Sequence, residues 1–118
     1  MSAFQVAQIA PTVRRILDSP GEGWCATFEV VGVDNAWAQV TKGTLNLAYP
    51  FANAPNVADV VAHLPKAALT SWEANTFVTF EFQNGSAEAI ARAIDHLFTK
   101  FFQRSEYSVD SRIEDLDA

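Results

Sequence analysis

The residues best equipped for chemistry are few: one cysteine, Cys25, two histidines, His63 and His96, and scattered carboxylates. Cys25 with either histidine would spell a nucleophile and its base. A reactive thiol, however, sits in an electropositive, partly exposed niche, often at a helix N-terminus. Cys25 falls mid-strand next to Trp24, which suits a structural thiol. Asp59 and His63 stand four apart on a short helical stretch, so both could face one ligand. A metal site would need further ligands, and the candidates Asp95 and His96 belong to another helix with no helpful spacing. A solvated i,i+4 pair is the better reading of Asp59 and His63, and a half-buried helix position that of His96. Glu29 and Glu81 are isolated in strands and mark a solvent face or the flank of an interface. Gly21-Glu22-Gly23 hints at a dinucleotide loop, but it follows a helix and precedes a strand, the reverse of that fingerprint, so it reads as a turn. No serine stands in a nucleophile-elbow context. The expectation is a protein that is not an enzyme and carries neither cofactor nor metal.

These residues must be positioned by a chain of 118 residues, a length that suits one domain spanning 1–118 with one core. Its 49% hydrophobic content belongs to a globular protein. Fourteen acids against eight bases give a formal charge of −6, which repels a nucleic-acid backbone. No run approaches the about 18 apolar residues needed to span a bilayer, and the first residues do not read as a signal peptide. A single cysteine cannot form an internal disulfide, in keeping with a reducing compartment. A cytoplasmic protein is expected, with no nucleic acid and no membrane among its partners.

The clearest pattern lies in residues 44–51, where Leu45, Leu47, Tyr49 and Phe51 alternate with Thr44, Asn46, Ala48 and Pro50. Alternation with period two is a strand with one apolar face. Before it, residues 24–33 and 36–41 read as two more strands, with a turn at 32–35 and another at Lys42-Gly43. The three make an antiparallel meander. Residues 76–82 are a fourth strand with Val78, Phe80 and Phe82 inward. Helical spacing appears in three places. Residues 3–18 are interrupted by Pro11, where the helix either kinks or begins, and helix is favoured at least over 11–18. Val57, Val60, Val61 and Leu64 mark a short amphipathic helix with Asn56 as N-cap. Residues 87–104 form the longest helix, N-capped by Ser86, with Ile90, Ile94, Leu97, Phe98, Phe101 and Phe102 in a wide stripe and Glu88 paired to Arg92. Residues 66–74 are ambiguous, with Leu69 and Trp72 as buried anchors. The tail 105–118 is acidic, and Tyr107, Val109, Ile113 and Leu116 could dock part of it. The fold class is α+β: an antiparallel sheet of a three-stranded meander plus at least one further strand, covered by N- and C-terminal helices.

Nine Phe and three Trp in so short a chain leave some aromatics near the surface. An apolar patch left over in a small domain marks a partner or dimer interface. The candidate partner-binding residues are Trp37, Tyr49, Phe51, Trp72, Phe77, Phe98 and Phe102.

At WAQV, LNLAYPF, Leu64-Pro65, Trp72 and the helix AIARAIDHLF followed by Tyr107 and Val109, the chain resembles the type III secretion chaperone-like and YbjN-like (TY-Chap) peptide-binding domains. The similarity in element order runs over most of residues 4–110. Class I secretion chaperones usually show more strand after the middle helix, whereas the pattern here marks 76–82 alone. The resemblance implies a cytosolic, acidic, often homodimeric module that holds an extended protein segment on apolar surface. A sheet edge would accept that segment as an added strand, with strand one or strand 76–82 as the edge. Two other readings stand beside it: an immunity protein whose negative surface plugs a basic toxin cleft, and a small-ligand-binding protein or enzyme, which would need an enclosed polar pocket.

Overall fold

The alternation in residues 44–51 builds the centre of a sheet. In a computed structural model, which describes residues 3–104 and 106–116, the order is α1 (Ala3–Leu17), β1 (Trp24–Val30), β2 (Trp37–Val40), β3 (Thr44–Ala48), α2 (Ala58–Val61), β4 (Ala68–Glu73), β5 (Phe77–Glu81), α3 (Ala87–Phe102) and β6 (Val109–Asp115). The fold is α+β. Six strands form one antiparallel sheet in the order β4-β5-β3-β2-β1-β6. The register carries single rows across the strands. One runs through Ile113, Ala26, Val40, Leu45, Phe80 and Leu69. Ala26, Val40, Leu45 and Phe80 are buried, in one core with Ile9, Val13 and Ile16 of α1 and Ile90, Ile94, Leu97 and Phe98 of α3. The two long helices therefore cover this face. The opposite face carries the polar row Arg112, Thr27, Gln39, Asn46, Thr79 and Ser71, tied by Thr79 Oγ1 donating to Asn46 Oδ1 at 2.8 Å.

α1 runs through Pro11 rather than starting there. Proline removes one helical N–H and crowds the preceding turn, but Pro11 lies on the exposed side, while Ile9, Val13 and Ile16 supply the burial that holds the helix together. Ser86 caps α3 as its sequence position predicts, accepting from the Ala89 amide at 3.1 Å. Glu88 pairs with Arg14 of α1 instead of Arg92, so the ion pair bridges the two covering helices. The middle helix is a single turn, with the Asn56 side chain accepting from Ala58 N–H at 3.0 Å. The chain leaving it packs closely on the chain entering α3: a Cβ on Gly85 would lie 2.8 Å from Leu64 Cδ2.

Three expectations are corrected. Residues 66–74 hold an edge strand, β4, and Trp72 is exposed rather than buried. The acidic tail supplies β6, which pairs with β1 along its length, so strand one is interior. Strand 76–82 is interior too, between β3 and β4, and the sheet edges are β4 and β6.

Candidate functional site

The groups that might have done chemistry are dispersed or occupied. Cys25 is buried on β1, and burial pushes its thiol up, away from the thiolate a nucleophile needs. Asp59, His63 and His96 do come together, across α2 and α3. The two imidazole rings lie 5.5 Å apart and His96 Nε2 is 3.8 Å from Asp59 Oδ1. Lys100 Nζ, however, donates to both Asp59 oxygens, at 2.8 and 2.7 Å. The carboxylate is used to hold α2 on α3, and among the described residues no three ligating groups are arranged to bind a metal. The sequence separation of 41 residues between Asp59 and Lys100 is why spacing missed this cluster.

His63 reports on it. Desolvation, then the neighbouring His96 and Arg92, lower its pKa, with Asp95 opposing. A histidine depressed in the folded state contributes stability that is complete above its unfolded pKa of about 6.5 and is lost as pH falls below it. His63→Gln is therefore expected to flatten the decline in stability between pH 7 and 5, read by urea denaturation at fixed pH values. An unchanged slope would show that His63 does not carry it.

The aromatic residues gather instead. β3 ends at Ala48, but the chain stays beside the β4–β5 turn: Tyr49 N–H donates to Thr76 O at 3.3 Å and Asn75 N–H to Phe51 O at 2.8 Å. This sets Tyr49 at the centre of an aromatic corner, edge-on to Phe51 (5.4 Å), Trp72 (6.2 Å) and Phe101 (5.3 Å). Its hydroxyl donates to Asn53 O at 2.5 Å, fixing the loop that carries Phe51. Phe51 and Trp72 remain 40% and 37% exposed. Trp72 lies on β4, whose outer side is paired with no described strand and whose residues are exposed except Leu69, while Phe51 follows β3 beside the β4–β5 turn. The β6 edge differs: it carries Asp110, Arg112, Glu114 and Asp115, and charge along an edge discourages an added strand. β4 carries Glu73 and a register shift at Thr70.

Of the seven candidates, Tyr49, Phe51 and Trp72 meet in this corner. Phe102 flanks it through Phe101, at 6.4 Å. Trp37 and Phe77 lie on the sheet face away from the helices, where Ala38 opposite Leu47 sets Trp37 beside Ala48, itself opposite Phe77. Phe98 is fully buried and cannot touch a partner in the folded protein. The sequence does not single out Phe101, because a helical stripe gives no sign of where along it the cover ends. Trp37, Ala48, Tyr49 and Phe102 also line a cleft of about 610 Å³, together with Asp34 and Asn35 of the β1–β2 turn and Asn75 and Thr76 of the β4–β5 turn.

No family model, curated protein or solved structure matches this chain. Function must therefore be argued from the corner, the edge and the cleft. Among the described residues no helix is long and apolar enough to cross a membrane.

Proposed function

We propose that the protein is a non-enzymatic protein-binding module that holds an extended segment of a partner, as the resemblance to secretion chaperones implies. The observation that carries the reading is the exposed β4 edge, which carries the exposed ring of Trp72 and ends at the turn beside the exposed ring of Phe51. An added strand would draw affinity from main-chain hydrogen bonds along the edge and selectivity from alternate side chains reaching the corner. β4 is also the additional strand after the middle helix that the resemblance calls for. The formal charge of −6 keeps a sticky surface soluble and favours basic partners.

Hydrogen exchange on the complex tests it. A captured client should protect the β4 amides and be cut by protease on either side of one extended segment. Trp72→Ala should weaken that complex by about tenfold or more, as loss of an aromatic anchor does, while the fold persists because the ring is partly exposed. A compact, protease-resistant partner bound with β4 unprotected would favour the immunity reading. Protection of β4 in the protein alone, rising with its concentration, would assign the edge to a homodimer.

A further inference from the structure

We infer that the cleft beside the aromatic corner receives the guanidinium of an arginine from the bound segment. The inference rests on the protein-binding reading and names the side chain that reading leaves open. Trp37 and Phe102 line the cleft together with Asp34, Asn35 and Asn75. No lysine or arginine is among its lining residues, and Asp34 forms no ion pair with a described residue. A carboxylate without an ion pair, in a cleft shared with aromatic residues, suits a planar, weakly hydrated cation, which can stack on a ring and donate its N–H groups to the carboxylate. Asn35 and Asn75 can offer amide oxygens as further acceptors, which an ammonium or an apolar side chain would use less fully. Both asparagines sit in the left-handed region, at φ 57°, which Asn tolerates in the turns that line the cleft.

Charge around the cleft points the same way. Along the row containing Trp37 the neighbours are Glu29 and then Asp110, and beyond Phe77 stands Glu73. Arg112 offsets Glu29, leaving Asp110 and Glu73 to add to Asp34. The cleft shares Tyr49 with the aromatic corner, so one segment can reach both. At about 610 Å³ it is larger than a single side chain, which suits an arginine arriving with its neighbours rather than a free ion.

The test is a titration of the isotope-labelled protein, followed by amide and indole NMR signals, with three probes: the peptide acetyl-Ala-Leu-Arg-Leu-Ala-amide, the same peptide with citrulline in place of arginine, and ethylguanidinium. The arginine peptide should shift the Trp37 indole and the Asn35 and Asn75 side-chain signals. It should bind at least about fivefold more tightly than the citrulline peptide, which keeps the shape and loses the charge. Asp34→Asn, at an exposed turn, should remove that preference while the rest of the spectrum stays in place. Equal binding of the two peptides, or shifts at β4 with none in the cleft, would overturn the arginine site and leave the protein-binding reading standing. Ethylguanidinium binding as tightly as the peptide would overturn the polypeptide source. No shift anywhere would count against both.

Discussion

Replacing Phe98 with alanine is expected to lower the unfolding free energy by about 3–5 kcal/mol. The ring has no exposed surface. It stands in the last turns of α3, edge-on to Tyr107 at 5.7 Å and near Phe102 at 6.3 Å. Truncation removes the transfer free energy of a whole ring and leaves a cavity that surrounding elements can close only in part. Domains of this kind hold about 5–15 kcal/mol in total, so the variant should sit near the limit of folding. Its urea midpoint should fall with little change in slope, as expected when the same surface is exposed from a weaker native state. Phe51→Ala is the control, since its ring is 40% exposed and its loss should cost much less. If the two variants were equally stable, the position of Phe98 in the core would be wrong. If they behave as argued, loss of binding in Phe98→Ala would say nothing about contact, and Phe51 and Trp72 become the positions to test.

The pair also shows how far the sequence can be read. Period two in residues 44–51 and the 3.6 spacing of α3 named the sheet face and its cover, because burial on one side imposes a pattern. That pattern says which side is inward and not how completely each residue is closed off. Phe98 and Phe102 lie on one stripe, yet the first is fully buried, with Tyr107 edge-on to it, and the second lines a cleft. β4 was illegible for a definite reason. Its register shifts between Leu69 and Ser71, so Leu69 and Trp72 share a face at a spacing of three, which in sequence mimics a helix. β6 was hidden by its charges, which are what suits it to a solvent-facing edge. Both edges are thus the parts least visible in sequence, and the proposed function depends on the difference between them. The Asp59–Lys100 pair and the cleft depend on contacts between distant segments, and no local spacing announces those.

Tyr107→Phe should carry the second large effect, because β6 is anchored through this residue. Its hydroxyl donates to Asp95 Oδ1 of α3 at 2.5 Å, and Asp95 has no exposed surface. Gln5 of α1 donates to the Tyr107 carbonyl at 2.8 Å, and Val109 N–H donates to Gln8 Oε1 at 3.3 Å. These contacts aim the chain at the edge of β1, where β6 then pairs. Removing the hydroxyl takes a donor from a buried carboxylate, a loss of about 1–3 kcal/mol and more where the acceptor is charged. Alkaline pH gives the effect a second signature. Burial, then the hydrogen bond to Asp95 and its charge, raise the Tyr107 pKa above the usual 10. A raised pKa contributes stability that is complete below about pH 10 and is lost as pH climbs through the folded value. The wild-type protein should therefore lose stability above pH 10 more steeply than Tyr107→Phe. Some slope remains in the variant, since burial also raises Tyr49 and Cys25. Denaturation curves at pH 7 and at steps above pH 9 give both readings, and hydrogen exchange should show β6 opening first in the variant. Identical alkaline slopes would mean that Tyr107 is not held protonated by the fold. A destabilised variant whose β6 stays protected would place the anchor elsewhere.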